Sequence, residues 1–276
     1  METHVSWLTQ FVNQHLGQFA LSLLSALHIQ PTNPATPIPE RIIMMVVVFA
    51  IAAVFTLWLR PRLSVDNPGG AQQIAELLIT NPIGFGIRDL LTENAHDKKG
   101  KYVAMVGSVA SFILLANILS VFPAFSAPTA EISVPLGCAI VTFLYFNWQG
   151  IKHHNVGYYL LTFAGSPRNV GDWLLGILLF PVELISTAAR LLSLTVRLWA
   201  NIFASDLLYV IFLGLLVQPV LWGWGKSPAL GIVLGVFPAV IPLAFIGLHI
   251  FVGIIQAYVF TLLPAIYIGI ATADEH

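Results

Sequence analysis

The sequence predicts an all-α integral membrane protein with about five membrane-embedded helices, the last two long and steeply tilted, plus an N-terminal amphipathic helix and an interfacial helix. Of its 276 residues, 57% are hydrophobic and only 9% are charged, whereas about a quarter of a soluble domain is charged. So few charges cannot cover a surface that faces water, and a lipid bilayer is the solvent that suits this composition. The net charge of −1 gives nucleic-acid binding no electrostatic basis.

The N-terminal forty residues differ from the rest of the chain. Apolar side chains recur at helical spacing between residues 5 and 27 and fall roughly on one face. No Lys or Arg precedes Arg41, so an amphipathic helix lying on the membrane explains this segment better than a secretory signal does. A stiff connector follows, with prolines at positions 31, 34, 37 and 39. We therefore divide the chain into an N-terminal segment, residues 1–40, and a single membrane domain, residues 41–276.

Three stretches without any charged residue predict the first membrane spans, at residues 42–59, 103–122 and 132–151. Each is close to the ~20 residues that a helix needs to cross the hydrocarbon. Two longer blocks follow: residues 173–225 contain four charged residues, and residues 227–273 contain no Asp, Glu, Lys or Arg. A continuous helix of ~50 residues would run ~75 Å, so each block is either two spans joined by a tight turn or one long tilted helix.

The positions of lysine and arginine predict the orientation, because basic residues concentrate on the cytoplasmic side. The segment 60–101 carries six basic residues and the connection 152–172 carries two, so both are expected in the cytoplasm. The connections 121–135 and 218–230 carry none and one, and are expected outside. This puts the N-terminus outside and the tail 274–276 in the cytoplasm. The last two blocks must then cross the membrane twice in total, which favours two long tilted helices.

The segment 70–92 is less apolar than the predicted spans. It places six apolar residues among polar ones: Ile74, Leu77, Leu78, Ile83, Ile87 and Leu91. Proline interrupts a helix because it lacks a backbone N–H and clashes with the preceding turn. We interpret the segment as an interfacial helix that is broken near Pro82.

The two long blocks each carry a line of polar side chains. Glu183, Arg190 and Arg197 are seven residues apart, and seven steps of ~100° return a helix to within ~20° of its starting face. Ser193 and Asn201 lie near this stripe, whereas Asp206 falls on roughly the opposite face. In the last block, His249 and Gln256 are also seven apart. Two facing helices with such polar seams describe an ion path better than a core.

Simpler interpretations exist for most of these residues. Glu183 and Arg190 are also consistent with a structural ion pair, and His249 with a hydrogen-bonded core histidine. Asn117 and Gln256 are also consistent with hydrogen bonds between membrane helices. Arg197 is harder to explain in this way, because no acidic residue lies three or four positions from it. An arginine at the bilayer centre costs from ~3 to above 10 kcal/mol, so its partner is expected to be mobile or external.

The run from Ser193 to Asp206 resembles the signature of subunit a of bacterial F-type ATP synthases. That family carries an essential arginine, an asparagine four residues later and an acidic residue nine residues later, which match Arg197, Asn201 and Asp206. The resemblance covers about residue 40 to the end. Further matching segments are Pro181-Val-Glu183-Leu, Pro128-Thr-Ala-Glu131-Ile-Ser-Val, His249-x6-Gln256-Ala-Tyr-Val-Phe and the tail from Ile266. Departures are mild: Trp199 replaces a frequent Phe, and Ser205 stands where small residues or His occur.

The resemblance implies a proton-channel subunit that is not an enzyme on its own and holds no cofactor or metal. Its partners would be a rotating ring of c subunits, the b subunits of the peripheral stalk, membrane lipids and, indirectly, the soluble ATPase head, in a bacterial inner membrane. Arg197 would separate two offset half-channels. Asp206, His249, Asn201 and Glu131 would line the outside half-channel, and Glu183, Arg190 and Ser193 the inside one. Gln256 would accept a hydrogen bond from Arg197.

Two other classes of membrane protein are weighed against this one. A secondary proton or sodium antiporter typically shows an inverted repeat with carboxylates at matching places in both halves, and the sequence shows no such repeat. A membrane redox subunit such as a cytochrome b needs histidines paired across membrane helices to bind haem. Only His249 lies within a strongly apolar span, which argues against that class.

Overall fold

A computed structural model of the chain describes residues 6–28, 30, 33, 36–81, 84–122, 125–165 and 170–273. Over these residues the regular structure is helical, without a strand. Several residues used in the sequence predictions lie outside the described part: Pro31, Pro34, Pro82, Ile83, Arg168 and the tail 274–276.

Nine α-helices make up the described structure. They are α1 (Trp7–Ala26), α2 (Glu40–Leu59), α3 (Gly70–Ile79), α4 (Ile87–Asn94), α5 (Val103–Leu119), α6 (Ser133–His154), α7 (Val156–Thr162), α8 (Val170–Lys226) and α9 (Pro228–Ala271). Short 3-10 turns follow α2, at Arg60–Arg62, and precede α6, at Pro128–Ala130. The all-α membrane fold is therefore confirmed.

Four of the described helices contain stretches long and apolar enough to cross a membrane: α2, α6, α8 and α9. Helix α5 is apolar but shorter, with 17 residues. The two long blocks form one continuous helix each, of 57 and 44 residues, as the preference for two long helices predicted. The number of crossings and the tilt of α8 and α9 in a bilayer stay predictions.

The predicted N-terminal helix is present as α1, and its polar side forms hydrogen bonds with the connector. The side chain of Asn13 accepts a hydrogen bond from the backbone N–H of Ile38 at 2.9 Å and donates one to the Ile38 carbonyl at 3.1 Å. The large apolar side chains of α1, such as Trp7 and Phe19, are exposed. This arrangement suits a helix whose apolar face meets lipid, although its place in the membrane and the domain boundary at residue 40 stay predictions.

The segment 70–92 forms two helices, as the predicted break implies. The carboxylate of Asp89 accepts a hydrogen bond from the backbone N–H of Asn81 at 2.8 Å, and Gly84 adopts a positive φ of 82°. The two helices have different surroundings. Ile74 on α3 is exposed, whereas Leu91 on α4 is fully buried. Only α3 therefore has the exposed apolar face expected of an interfacial helix, and α4 belongs to a core.

The chain forms two compact units. Unit 1 contains Met1–Phe55, Phe112–Glu131 and Trp199–Ile254, and unit 2 contains Thr56–Ser111, Ile132–Leu198 and Ile255–His276. Helices α2, α5, α8 and α9 contribute residues to both units.

Unit 2 has an apolar core built by α4, α5, α6 and α9. Its buried residues include Leu91, Val106, Phe146 and Ile268. Helix α5 begins where the buried carboxylate of Asp97 accepts hydrogen bonds from the backbone N–H groups of residues 101 and 102, at 2.9 and 2.7 Å. These bonds satisfy N–H groups that precede the first helical turn, where no intrahelical partner exists.

Unit 1 is held by aromatic stacking and by polar contacts. Phe49 of α2 stacks on Phe112 of α5 with ring centroids 4.9 Å apart, and α8 stacks on α9 through Phe212 and Phe245 at 4.6 Å. The contact of α5 with α9 is so close that a Cβ on Gly253 would lie 3.0 Å from the Cβ of Asn117. Glycine at this position therefore lets the two helices approach.

Candidate functional site

Arg197 lies on an exposed face of α8. Its guanidinium donates a hydrogen bond to the Ser193 hydroxyl at 3.4 Å, and among the described residues it forms no ion pair. Asn201, four residues further along, is also exposed, whereas Leu198, about 100° further round the helix, is fully buried. The charge of Arg197 is thus on the exposed side of the helix, and no described residue of its unit neutralises it.

A compact polar cluster in unit 1 surrounds His249 of α9. The Nε2 atom of His249 lies 2.8 Å from the Ser120 hydroxyl, and Nδ1 lies 2.7 Å from the Ser205 hydroxyl. The carboxylate of Asp206 lies 3.5 Å from the same Nδ1. His249 is 7% exposed, whereas the Asp206 side chain is 41% exposed. The structure therefore brings together the two predicted residues Asp206 and His249.

A small cavity of about 60 Å³ opens onto this cluster. Its lining residues are Ser120, Val121, Ser205, Asp206, Phe245, Ile246 and His249. A cavity of this size holds a few water molecules at most, and the polar lining offers them hydrogen-bond partners. Both ring nitrogens of His249 and both serine hydroxyls have identified hydrogen-bond neighbours in this site.

The other two residues predicted for the outside half-channel lie apart from this cavity. Asn201 is not among its lining residues. Glu131 forms an ion pair with Arg41 at the start of α2, which gives the carboxylate a structural partner. Asn117 accepts a hydrogen bond from the Thr129 hydroxyl at 2.8 Å, so this bond joins α5 to the turn before α6.

A second polar cavity, of about 350 Å³, lies in unit 2. Glu183 and Arg190 form an ion pair in its lining, with Oε1 and Nη2 3.1 Å apart, which confirms that residues seven apart share a face of α8. The Arg190 guanidinium lies over the ring of Tyr267, 5.4 Å from its centroid, a cation–π contact. The lining residues that can form hydrogen bonds are His154, Tyr159, Thr162, Glu183, Thr187, Arg190 and Tyr267.

Tyr159 of α7 contributes to this cavity without any signal in the sequence. Its hydroxyl donates a hydrogen bond to Asn147 at 2.9 Å, and its ring packs so closely on α6 that a Cβ on Gly150 would lie 2.3 Å from Cε2. Burial raises the pKa of the Tyr159 phenol above its ordinary value; Arg190 lowers that pKa and Glu183 raises it to smaller extents. The phenol is therefore a hydrogen-bond donor at neutral pH.

The predicted hydrogen bond between Arg197 and Gln256 is not formed in this structure of the chain alone, and the role of Gln256 stays a prediction. Gln256 is 2% exposed and its Oε1 atom accepts no hydrogen bond among the described residues. Arg197 instead points to the exposed side of α8 and contacts Ser193. The seven-residue spacing predicts which residues share a face of one helix, but it does not predict which faces of two helices meet.

Comparison with known proteins identifies the family to which this chain belongs. The family model described as "ATP synthase A chain" matches residues 42–269. The chain belongs to this family. It is 34% identical to "ATP synthase subunit a" of Koribacter versatilis over 99% of both chains. It is 37% identical to the protein of the same name from Solibacter usitatus, over 96% of this chain and 99% of that relative.

Family membership and the apolar helices establish the general role. The chain is a multi-pass membrane subunit of the ATP synthase complex, and it is not an enzyme by itself. It belongs to the membrane sector and takes part in ion transport and ATP synthesis. The antiporter and cytochrome alternatives are therefore set aside.

Proposed function

We propose that this subunit forms two offset half-channels that carry protons to and from a carboxylate on a rotating ring of c subunits, so that proton flow is coupled to rotation and ATP synthesis. The observation that carries this proposal is the exposed, unneutralised guanidinium of Arg197 on an apolar helix. Exposure of an arginine to lipid costs from ~3 to above 10 kcal/mol. A carboxylate on another subunit removes that cost and explains why none of the described residues provides a counter-charge.

Helix α8 has the surface that such a partner requires. Only 12% of the residues in an apolar, membrane-spanning stretch of α8 are buried by the rest of the chain. Most of that stretch is therefore available to lipid or to another subunit. Large apolar side chains near Arg197, such as Val196 and Phe203, are exposed. An apolar helix surface with an exposed cation among apolar side chains suits a partner helix that is apolar except for one carboxylate.

Arginine suits the separating role because its guanidinium does not lose its proton in proteins. It cannot relay a proton, yet it attracts a deprotonated carboxylate and so helps to remove the proton from it. Uptake and release are then kept apart unless the ring turns. A lysine at this position would be less suitable, because burial allows its amine to deprotonate.

The two cavities support separate paths for uptake and release. His249 and Asp206, with Asn201 and Glu131 nearer the surface, form the outside half-channel, and Glu183, Arg190 and Ser193 form the inside half-channel. Along α8 the order is Glu183, Arg190, Ser193, Arg197, Asn201 and Asp206, so the arginine separates the two groups in sequence. Gln256 supports Arg197 from α9 in the assembled complex, where the ring replaces lipid or water beside the guanidinium.

The remaining parts of the proposal concern the assembly. The partners are the c-ring, the b subunits of the peripheral stalk, membrane lipids and, indirectly, the soluble ATPase head. The location is the bacterial inner membrane, with the N-terminus outside and the C-terminus in the cytoplasm. The distribution of basic residues supports this orientation, because six of them lie in the segment 60–101.

The first test replaces Arg197 by alanine in the complete complex, reconstituted into vesicles. We expect ATP-driven proton pumping to be abolished, because the ring carboxylate no longer meets a fixed cation. Arg88→Ala, which removes an exposed arginine of α4, is the control and should pump normally. Coupled pumping by Arg197→Ala at the level of this control would refute the separating role.

A further inference from the structure

We propose that Ser120 and Ser205 are positioning residues that hold both ring nitrogens of His249, so that this histidine receives a proton at Nε2 and releases one from Nδ1. The inference rests on the proposed uptake path and adds two residues to it. Neither serine was predicted to act in transport from the sequence. Both hydroxyls lie within 2.8 Å of the ring, and Ser205 and His249 are buried.

The number of hydrogens on the two serines and the imidazole ring determines which groups donate hydrogen bonds and which accept them. A serine hydroxyl has a single hydrogen to donate. The Ser120 hydroxyl lies 2.7 Å from the carbonyl oxygen of Asn117, and the Ser205 hydroxyl lies 3.0 Å from that of Ile202. When both serines donate to these carbonyls, each must accept from the ring, and both ring nitrogens carry a hydrogen. That state is the imidazolium ion.

The neutral ring needs only a small rearrangement. One of its nitrogens then lacks a hydrogen, and the serine beside it rotates its hydroxyl from the backbone carbonyl to that nitrogen. Every ring nitrogen therefore keeps a hydrogen-bond partner in both protonation states, without movement of the imidazole. A buried polar group that loses its partner costs ~1–3 kcal/mol, and the two serines avoid this cost in each state.

In one transfer, a proton enters at the Ser120 hydroxyl and leaves at the Asp206 carboxylate. A hydronium ion in the cavity gives a proton to the Ser120 hydroxyl and is left as water, while the original hydroxyl proton passes to Nε2, where an N–H bond forms. The N–H bond at Nδ1 breaks, and its proton passes to the carboxylate of Asp206, 3.5 Å away. The ring returns to the neutral form with its hydrogen on Nε2, and Asp206 becomes a neutral acid. Exchange with cavity water through the two serine hydroxyls, with one proton lost from Nε2 and one gained at Nδ1, restores the first tautomer before the next transfer. Loss of that proton toward the c-ring restores the carboxylate.

The surroundings of His249 favour this role over that of a passive core residue. Among the described residues that line the cavity, which come from the end of α5, from α8 and from α9, Asp206 is the other titratable group. The remaining lining residues are the two serines, Val121, Phe245 and Ile246. No lysine or arginine in this lining opposes a positive charge on the ring, and the Asp206 carboxylate balances it.

The test compares Ser120→Ala and Ser205→Ala with Ser108→Ala in the complete complex. Ser108 is an exposed serine of α5 whose hydroxyl also bonds a backbone carbonyl, that of Ala104 at 2.6 Å. We expect proton uptake to fall about tenfold or more in the first two variants, since each removes one hydrogen bond from a charged ring. The loss should be larger at about pH 8 than at about pH 6, because imidazolium is harder to form.

Threonine variants separate positioning from packing. Ser120→Thr and Ser205→Thr keep the hydroxyl, and we expect them to restore most of the uptake rate and its pH dependence. Complex assembly is measured for every variant, so that the rates refer to intact complexes. Alanine variants that match Ser108→Ala at every pH would overturn the inference. So would a loss that is uniform with pH and is not relieved by threonine.

These outcomes are distinguishable from failure of the proposed function. If Arg197→Ala abolishes coupling while the serine variants behave as the control, the half-channel proposal stands and the serine relay falls. If Arg197→Ala pumps normally, the half-channel proposal falls whatever the serine variants show.

Discussion

The two polar cavities differ in size and in the groups that contact their ionisable side chains. The cavity in unit 1 is about 60 Å³, and its histidine is held on both nitrogens by uncharged hydroxyls. The cavity in unit 2 is about 350 Å³, and it contains a Glu183–Arg190 ion pair beside aromatic rings. In the narrow site transport depends on individual atoms, because there is little room for water to replace them. In the wide site, water can occupy the space of a lost side chain. Glu183 and Arg190 therefore act there mainly through their electrostatic field.

Replacement of Asp206 by asparagine should have the largest effect within this comparison. The size of the side chain is kept, but the atom that accepts the proton from His249 is lost. We expect proton uptake to fall by about a hundredfold, which is within the range for loss of a positioned acid or base. Uptake rates measured across pH in reconstituted vesicles provide the check. Unchanged rates would remove Asp206 from the path and make the narrow site a structural feature.

A change of one methyl group should distinguish the narrow site from a loosely packed one. In Gly253→Ala the new Cβ would lie 3.0 Å from Asn117, whose backbone carbonyl accepts a hydrogen bond from Ser120. We expect uptake to fall about fivefold, consistent with ~1 kcal/mol of overpacking strain. Gly247→Ala, on the same helix with nothing within 4 Å of its Cβ, is the matched control. Equal uptake by the two variants would show that α9 adjusts freely here.

Neutralisation of the ion pair in the wide cavity should have the smallest effect. We expect Glu183→Gln and Arg190→Gln each to slow proton release about two- to threefold, because an ion pair that remains partly exposed is worth only ~0–1 kcal/mol. The double variant should be no slower than the slower single variant, since either change alone already removes the pair. Release rates are measured in inside-out vesicles at low and high salt. A fall as large as that in Asp206→Asn would mean that the wide cavity also works through individual atoms.

Much of the fold could be predicted from the sequence because it depends on local properties. Long apolar runs correctly predicted α2, α6, α8 and α9. The absence of charge between residues 227 and 273 agrees with the single helix α9. The seven-residue spacing of Glu183 and Arg190 correctly placed them on one face. Family residues then identified Arg197, His249 and Asp206 as candidates.

The partners of these residues could not be predicted, because they come from distant parts of the chain. Ser120 is 129 residues from His249, and Ser205 is 44 residues from it. Small hydroxyl side chains are common in membrane helices, so neither serine stands out in the sequence. Tyr159 belongs to a short helix whose position depends on the close approach to Gly150. The partner of Gln256 could not be predicted for the same reason, because local spacing does not determine how two helices face each other.

The continuity of α8 has a consequence for sequence change. Each residue of an α-helix is rotated by ~100° from the one before, so Glu183, Arg190 and Arg197 share a face only while the number of residues between them is kept. A single inserted residue between Arg190 and Arg197 would turn the guanidinium ~100° away from that face, although every side chain would still be present. This segment is therefore expected to accept many substitutions but no insertion or deletion, and its length is as much a functional property as its residues.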